Sequence, residues 1–524
     1  MPLSSSIEIN DRFKEALGWM EDSARSVFIT GKAGTGKSTL LEYFRETTGK
    51  RIAVLAPTGV AALNVRGQTI HSFFGFKPDI TLEKVRKIST KRFPEKAALF
   101  KRLDAVVIDE ASMVRADLLD CVEKFLRLNG PKARRPFGGL QMIFIGDLYQ
   151  LPPVVSGAEK HLFTLHYDSP YFFSAHSLLK DGFRLEFVEL EKIYRQTEAD
   201  FIGLLNAIRN RSVTAGEIER LNGRFDPEFV PPEDDFYITL TSTNDLAAAR
   251  NREKLDRLPG RLHAYQGLID GEFERSSLPT DERLELKVGA QVMLLNNDAA
   301  GRWVNGSIGR VADVLREKGE DDRIVVELQD GGAVEVKPNI WELFRFTFDQ
   351  EKQAIVSEAV GAFTQYPLKL AWAITIHKSQ GKTFPKVIVD IGRGTFAHGQ
   401  VYVALSRCTN FGGLVLKTPI GKSHIRTDWR VSKFLTRFQY DRSAERQSYA
   451  DKKRLIEEAI GENRDLDIVY LKPDDTKSRR RIRPESIEQM AYAGKTFEGV
   501  RAYCHEREDM RTFKIDRMLE VKRI

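Results

Sequence analysis

The chain of 524 residues has few cysteines, no long apolar run and no fixed-period repeat. Its three cysteines, Cys121, Cys408 and Cys504, lie far apart and form no C-x-x-C pair. This spacing excludes a zinc ribbon and a disulfide framework, and it fits a reducing compartment. No stretch approaches the roughly 18 uncharged apolar residues of a membrane span, and the first residues lack the basic and apolar regions of a secretory signal. We therefore expect a cytoplasmic protein with no membrane partner.

The net charge is +7, which mildly favours a polyanionic partner. On charge alone, an ordinary basic protein is an equal alternative.

Residues 31–38, GKAGTGKS, match the pattern G-x-x-x-x-G-K-[ST] of loops that wrap the phosphates of ATP or GTP. The flanks agree, because residues 26–30 are typical of a buried strand and the residues from Thr39 of a helix. In such a loop the glycines let backbone N–H groups converge on phosphate oxygens, and the helix N-terminus adds positive potential. We expect Lys37 to reach the β- and γ-phosphates and Ser38 to bind Mg²⁺.

Two adjacent carboxylates, Asp109 and Glu110, follow a second apolar strand. We expect Asp109 to hold Mg²⁺ through water, and Glu110 to orient and deprotonate the attacking water. A further strand, at residues 142–145, leads into a loop that contains Gln150 and two prolines. An amide at that position is suited to sensing the γ-phosphate.

Two arginines of the predicted second α/β region, Arg195 and Arg407, are candidates for stabilising charge on the transferred phosphoryl group. If they do so, closure of two domains would depend on ATP. Surface ion pairs are the alternative for both residues.

Alternation of apolar strands with helical stretches up to about residue 155 predicts an α/β fold with a parallel sheet. A second α/β region is predicted to begin near Asp181, and short β runs with turns predict an antiparallel barrel inserted into it. A polar helical connector and a small α+β domain would complete the chain. The predicted segments are 1–180, 181–440 with the insertion at 300–366, 441–464 and 465–524.

Thr58 and Thr243 each end an apolar strand and lead into an alanine-containing helix. Ligands of open α/β sheets collect at the carboxyl ends of strands. The pair therefore suggests one extended ligand across two sheets, with coincidence as the alternative.

Between about Ser26 and Cys408 the chain resembles the Pif-type, RecD-like superfamily 1B DNA helicases. The resemblance rests on motifs that occur in the family's order. They are residues 31–39, 56–62 with 69–74, 108–113, 136–141 with 146–154, 194–196, 286–294, 373–383 and 401–407.

The resemblance implies two RecA-like motor domains that bind ATP in their cleft and single-stranded DNA across their tops. It also implies 5′-to-3′ translocation, a wedge subdomain near residues 75–102, and a Src-homology-type barrel for the β insertion. The implied catalytic residues are Lys37, Glu110, Gln150, Arg195 and Arg407. The implied nucleotide contacts are Gly31, Ala33, Gly34, Thr35, Gly36, Lys37, Ser38, Thr39 and Gly381, with Ser38 and Asp109 on Mg²⁺. The implied DNA contacts are Thr58, His71, Ser72, Phe73, Thr243, Asn244, His377, Lys378 and Ser379.

The residues themselves agree with a DNA-binding face. His71 and His377 each follow a Thr-Ile pair, and hydroxyls, imidazoles and Lys378 suit phosphate and sugar contacts. Phe73 or Phe74 is a candidate for stacking on bases. Structural hydrogen bonds for the histidines and core packing for the phenylalanines are the alternatives.

The chain departs from the family upstream of the phosphate loop, where a glutamine usually reads adenine. Its first glutamine is Gln68. Asn10 offers the same amide one methylene shorter, and we expect it to substitute.

From Asp465 onward the chain resembles a WYL domain, a small Sm-like β module, although Phe-Glu-Gly at residues 497–499 replaces the naming triplet. Three arginines there are candidates for binding single-stranded DNA or a nucleotide, with local ion pairs as the alternative. They are Arg501, Arg511 and Arg517.

The sequence thus predicts a monomeric, ATP-driven 5′-to-3′ DNA helicase of the bacterial nucleoid, acting on forked or structured DNA in replication, repair or recombination. One alternative is a nucleic-acid sensor in which the C-terminal domain binds a ligand and the ATPase acts as a switch. Another is a P-loop ATPase that remodels protein.

Overall fold

The computed structural model describes residues 9–155, 159–180, 183–273, 275–316, 319, 321–349, 351, 354–392, 394, 397–472, 476–492 and 495–524. Contacts divide the chain into two units, described separately below. One contains residues 1–206 and 214–426, and the other contains residues 207–213 and 427–524. No helix of the described ranges combines the length and the apolar character needed to cross a bilayer.

The N-terminal strands form a parallel sheet in the order β3-β2-β4-β5-β1-β6. The strands are β1 (Ser26–Gly31), β2 (Ile52–Ala56), β3 (Gln68–Thr69), β4 (Ala105–Ile108), β5 (Gln141–Ile145) and β6 (Leu185–Leu190). The helices of this region are α1 (Asp11–Glu21), α2 (Lys37–Thr47), α3 (Gly59–Asn64), α4 (Ile70–Phe74), α5 (Pro94–Arg102), α6 (Ala116–Asn129) and α7 (Lys160–His166). Strands β1, β4 and β5 are buried along their whole length, as expected when both faces of a parallel sheet are covered.

Strand β6 extends this sheet beyond the predicted boundary at residue 180. It pairs with β1 in parallel from Ser26 opposite Leu185 to Gly31 opposite Leu190. Val188 and Leu190 belong to the same apolar core as Val27 and Ile29. The start of the second region predicted at Asp181 is therefore too early.

After α8 (Ala199–Arg209), α9 (Ala215–Asn222), β7 (Ile238–Thr241) and α10 (Asn244–Arg257), the chain forms a long antiparallel insertion. Its strands are β8 (His263–Gln266), β9 (Leu268–Gly271), β10 (Arg283–Leu286), β11 (Gln291–Leu294), β12 (Ile308–Leu315), β13 (Arg323–Leu328), β14 (Ala333–Val336), β15 (Asn339–Asp349), β16 (Ala354–Gln365) and β17 (Leu368–Leu370). One sheet has the order β14-β13-β12-β11-β17 and another the order β15-β16-β9. Because β11 and β17 complete the first of these sheets, the insertion is larger than the predicted 300–366.

The chain then returns to a second parallel sheet, in the order β18-β7-β19-β20. The added elements are β18 (Ala373–Thr375), β19 (Val387–Asp390), α11 (Gln400–Leu405) and β20 (Leu414–Leu416).

In the predicted wedge region, helix α5 lies beside strand β15 of the insertion. The guanidinium of Arg102 sits 4.6 Å from the ring centroid of Phe348.

The C-terminal unit is an antiparallel sheet in the order β24-β23-β22-β21-β25. Its elements are α12 (Trp429–Arg446), α13 (Tyr449–Gly461), β21 (Leu466–Leu471), β22 (Lys477–Tyr492), β23 (Lys495–Cys504), β24 (Asp509–Lys514) and β25 (Met518–Arg523). Ile456 and Ala459 of α13 join Leu466 and Val500 in one apolar cluster. The segment 441–464, predicted to be a connector, therefore contributes a helix to the core of this unit.

Candidate nucleotide and nucleic-acid sites

The phosphate loop connects β1 to α2, which begins at Lys37. Gly34 and Gly36 have φ values of +79° and +84°, a conformation that only glycine adopts without strain. The ammonium of Lys37 donates to the carbonyl oxygens of Gly31 at 2.7 Å and Lys32 at 3.0 Å. The loop thus folds around the lysine that was predicted to contact phosphate.

Asp109 and Glu110 follow β4 directly and lie next to Lys37. The N–H of Asp109 donates to the carbonyl of Leu55 on β2 at 2.9 Å, and Glu110 has a left-handed backbone with φ of 48°. For a residue other than glycine this conformation costs on the order of 1 kcal/mol, so the surrounding structure holds Glu110 in place.

Burial raises the pKa of both carboxyl groups. Burial, then the charge of Glu110, raises the pKa of Asp109 to about 7. Burial also raises the pKa of Glu110, while the charges of Lys37 and Arg407 oppose that shift. A carboxylate whose pKa is raised toward neutrality, with cations close by, suits a general base.

The loop after β5 brings a third carboxylate, Asp147, to the same place. Asp147 is 1% exposed, and it accepts from the N–H of Tyr149 at 3.1 Å. A side-chain carbon on Gly146 would lie 2.9 Å from the backbone nitrogen of Ala111, so glycine lets this loop lie against the turn that follows Glu110. Sequence reasoning assigned no role to Asp147, and its place directly after a strand was the available signal.

Gln150 is 7% exposed, and its backbone N–H donates to the carbonyl of Asp147 at 2.9 Å. The predicted sensor therefore lies in a tight turn beside the buried carboxylate. Its side chain is enclosed in this arrangement.

Arg195 and Arg407 meet between the phosphate loop and the second sheet. The guanidinium of Arg195 donates to the carbonyls of Ser406 and Gly381, each at 3.4 Å. That of Arg407 donates to the carbonyl of Val403 at 3.0 Å. Because Arg407 is only 1% exposed, the alternative of a surface ion pair is excluded for it.

Each arginine also affects the electrostatics of the other. Burial and then the charge of Arg195 lower the pKa of Arg407 to about 9, and burial lowers the pKa of Arg195. Two guanidinium groups this close repel each other, so an anion bound between them would be stabilised.

The predicted nucleotide contacts of the loop, from Gly31 to Thr39, therefore lie together with Glu110, Arg407 and Gly381. Asn10 lies at the edge of this group. Its side-chain oxygen accepts from the N–H of Phe13 and caps α1, while its amide donates to the hydroxyl of Tyr194 at 3.0 Å. The oxygen and the nitrogen of the Asn10 amide, which was predicted to read adenine, thus both have protein partners.

Thr58 and Thr243 play the same local role in the two sheets. Thr58 caps α3 by accepting from Ala61, and Thr243 caps α10 by accepting from Leu246. The similarity between the two sequence segments therefore reflects two equivalent junctions, in each of which a strand leads through a capping threonine into a helix. Of the other predicted DNA contacts, Ser72, Asn244 and Lys378 are exposed.

The two histidines are partly buried. Burial lowers the pKa of both His71 and His377, and the charge of Arg115 adds to the effect on His71. Their imidazoles are therefore neutral at pH 7 and suited to hydrogen bonding rather than charge pairing.

The structure contradicts two predicted DNA contacts. Phe73 is 4% exposed, and its ring lies 5.0 Å from that of Phe74 and 5.1 Å from that of Phe100 between centroids. Ser379 has no exposed surface, and its hydroxyl donates to the carbonyl of Ile376 at 2.7 Å. Core packing keeps both side chains away from any base or phosphate, so these two predictions are wrong.

Two further lysines to which the sequence analysis assigned no role lie nearby: Lys369 beside Lys378, and Lys382 beside Lys369. Burial, then the charge of Lys378, lowers the pKa of Lys369 on β17 to about 8. Burial and the charge of Lys369 lower the pKa of Lys382 to about 8, and its ammonium donates to the side chain of Asn305 at 2.7 Å. Lys382 lies within the motif at residues 373–383, whereas Lys369 lies in none of the motifs.

The C-terminal unit contains a pocket of about 500 Å³ whose lining combines aromatic and basic side chains. Tyr470 and Phe513 supply aromatic surface, and Arg480, Arg507 and Arg511 supply positive charge. Of the three predicted arginines, Arg511 lines this pocket. Arg501 and Arg517 are not among its lining residues.

The crystal structure of a Bacteroides sp. Pif1 in complex with ADP-AlF4 is similar to this chain, with a TM-score of 0.74 and 38% identity. The match covers 82% of this chain and 96% of that one. The fold and the site place the chain among P-loop motor ATPases with two RecA-like domains.

A family model described as PIF1-like helicase matches residues 8–219, and one described as WYL domain matches residues 451–523. The chain belongs to the PIF1-like helicase family and carries a C-terminal WYL domain.

Two curated relatives agree with this assignment. The ATP-dependent DNA helicase Pif1 of Bdellovibrio bacteriovorus is 32% identical over 421 residues, which cover 78% of this chain and 88% of that protein. The ATP-dependent DNA helicase PIF1 of Xenopus laevis is 33% identical over 436 residues, 82% of this chain. The chain spans 64% of the length of the Xenopus protein.

Proposed function

We propose that the protein is an ATP-dependent DNA helicase that moves 5′ to 3′ on single-stranded DNA and unwinds duplex or structured DNA. The observation that carries the proposal is the meeting of Arg195 and Arg407 with the phosphate loop and Glu110. Arg407 belongs to the segment that follows α11, so the second α/β layer supplies part of the ATP site. Binding and loss of the γ-phosphate would then alter how tightly the two layers hold together.

In the proposed hydrolysis step, Glu110 accepts a proton from the attacking water, and Lys37 exchanges its loop carbonyls for phosphate oxygens. Arg195 and Arg407 stabilise the negative charge of the transferred phosphoryl group. The hydroxyl of Ser38 and the carboxylate of Asp109 are hard oxygen donors that fit Mg²⁺. Bound there, the ion would neutralise charge on the phosphates. The structure of a Bacteroides relative in complex with ADP-AlF4 supports nucleotide binding.

We propose that single-stranded DNA runs past the caps of α3 and α10. The phosphate backbone would be contacted by Thr58, Thr243 and Asn244. Further polar contacts would come from Ser72, His71, His377 and Lys378. Contacts to the backbone do not distinguish one base from another, so we expect little sequence preference. A Bacteroides Pif1 structure bound to single-stranded DNA supports single-stranded DNA as the partner.

We further propose that the protein acts as a monomer at the nucleoid of a bacterium, in replication, repair or recombination. Relatives from Bdellovibrio and Bacteroides support the bacterial setting. A structure that describes unwinding of forked DNA by two coordinating Pif1 helicases favours two copies on a fork instead. The mass of the complex on a forked duplex distinguishes one bound copy from two.

Strand separation of a 5′-tailed duplex with ATP tests the main proposal, with Lys37→Ala as the control that lacks nucleotide hydrolysis. The wild-type chain should displace the strand and the variant should not. Intact ATPase activity without displacement or translocation would contradict a motor.

The pocket of the C-terminal unit favours a second function, in which this unit binds a phosphorylated ligand and so regulates the ATPase. Aromatic surface beside several arginines suits a base and a phosphate together. This function adds to unwinding.

A further inference from the structure

Tyr402 lies on α11, is 4% exposed, and precedes Arg407 by five residues. Its hydroxyl oxygen accepts a hydrogen bond from the backbone N–H of Ala33 at 2.9 Å. The same hydroxyl donates to the Oδ2 of Asp147 at 3.4 Å. One phenol group therefore connects the phosphate loop, the loop after β5 and the helix that leads to Arg407.

Helix α11 is held against the loop after β5 by backbone as well as by this side chain. Its N-cap, Gly399, has φ of 72°. A side-chain carbon at this position would lie 2.3 Å from the carbonyl oxygen of Tyr149 and 2.7 Å from that of Gln150. Only glycine permits this close approach, so the first turn of α11 rests directly on the segment that carries the predicted γ-phosphate sensor.

The partners of the Tyr402 hydroxyl are both parts of the ATP site. Ala33 is 6% exposed and lies within the phosphate loop. Asp147 is 1% exposed, and its loop packs against the turn that follows Glu110, so the position of Asp147 matters to the proposed general base. Tyr402 also lies close enough to Arg195 and Arg407 to affect both guanidinium groups.

We propose that Tyr402 is a positioning residue for ATP hydrolysis. It sets the distances between the phosphate loop, Asp147 and the segment after α11 that carries Arg407. A phenol hydroxyl can accept and donate at the same time, and here both capacities are used across segments far apart in sequence. The buried ring holds the hydroxyl in place, and the hydroxyl in turn binds the backbone of one loop and the Asp147 carboxylate of another. The inference rests on the proposed ATP-driven function and adds a residue that the motif roles leave out.

The test is Tyr402→Phe, which keeps the ring and removes only the hydroxyl. Tyr366→Phe is the matched control, because Tyr366 is also 4% exposed and donates its hydroxyl to the carbonyl of Asp322, in the insertion. Steady-state ATP hydrolysis is measured with saturating oligo-dT, and thermal unfolding is measured for both variants. We expect Tyr402→Phe to lower kcat about tenfold with KM for ATP changed less than about threefold, since geometry at the reacting centre is what is lost.

The expected control result is a kcat near the wild-type value for Tyr366→Phe, with a loss of Tm at least as large as that of Tyr402→Phe. A kcat of Tyr402→Phe within about twofold of wild type overturns the inference, as does a rise in KM with unchanged kcat. An equal loss of kcat in both variants overturns it as well, because the effect would then be one of general stability.

Strand displacement tests the helicase proposal independently of the role of Tyr402. If the wild-type chain hydrolyses ATP but displaces no strand, the helicase proposal fails while the ratio of kcat values still decides the role of Tyr402.

Discussion

Arg195 packs directly on Gly34 of the phosphate loop. A side-chain carbon on Gly34 would lie 2.5 Å from the Cβ of Arg195, and Gly34 already has φ of +79°. The carbonyl of Gly34 also accepts from the N–H of Tyr194 at 2.8 Å. The arginine predicted to stabilise the transferred phosphoryl group is thus fixed to the loop predicted to hold it, by backbone contacts that leave no room for a side chain.

Gly34→Ala should therefore weaken both the fold and nucleotide binding. The left-handed backbone and the clash with Arg195 together should lower the free energy of unfolding by about 1–3 kcal/mol. Chemical denaturation measures that loss, and titration with a fluorescent ATP analogue should show weaker binding. Gly203→Ala is the control, because nothing lies within 4 Å of a side-chain carbon at that helical position. Equal stability and equal ATP affinity for the two variants would contradict the packing described here.

Glu110→Gln should leave ATP and DNA binding in place while turnover collapses. The amide keeps the shape of the carboxylate but cannot take a proton from water, so we expect a loss of about 10²–10⁴ in kcat. Filter binding with labelled ATP and anisotropy with labelled oligo-dT check the two affinities. Turnover within a few-fold of wild type would refute the role of Glu110 as the base.

DNA binding should weaken as the pH rises through about 8. Burial lowers the pKa of Lys369 and of Lys382 to about 8, with the charges of Lys378 and Lys369 adding to the shifts and that of Asp281 opposing the shift of Lys369. Both ammonium groups are charged below that pH and neutral above it. Attraction to phosphate is therefore present at pH 7 and lost toward pH 9.

Anisotropy of labelled oligo-dT at constant ionic strength measures this dependence. The decrease in affinity between pH 7 and pH 9 should be smaller in Lys369→Gln than in wild type. A flat wild-type profile, or identical slopes for the two proteins, would contradict a contribution of these lysines to DNA binding.

Arg511→Ala should weaken binding of a short single-stranded oligonucleotide to the C-terminal unit of the full chain, by roughly threefold to tenfold for one phosphate contact. Arg511 lines the pocket described above, whereas Arg501 on the neighbouring strand does not. Arg501→Ala is therefore the matched control. The comparison is made in the Lys378→Ala background, which weakens the proposed motor path. Equal affinities for the two variants would argue against the pocket as a ligand site.

Local motifs could be predicted from the sequence because their geometry is local. The phosphate loop, the carboxylates after β4 and the strand-to-helix junctions at Thr58 and Thr243 each depend on one strand and the residues that follow it. Pairing between distant segments could not be predicted in the same way. Strand β6 joins the first sheet through β1, a contact set by tertiary packing rather than by propensity.

The prediction for Phe73 is wrong because its packing partners are distant in sequence. Phe73 looks exposed in a motif of hydroxyls and histidine, but its neighbours Phe100 and Phe346 come from far along the chain. The role of Tyr402 could not be predicted for the same reason, because its partners Ala33 and Asp147 are distant from it in sequence. Contacts assembled from distant segments become visible only in three dimensions.

The most direct test of the account compares strand displacement from a 5′-tailed and a 3′-tailed duplex, with ATP hydrolysis measured in the same reaction. The account predicts displacement of the 5′-tailed strand alone, and a parallel loss of hydrolysis and displacement in Arg195→Ala. Hydrolysis without displacement of either substrate would contradict it, and so would full displacement by Arg195→Ala.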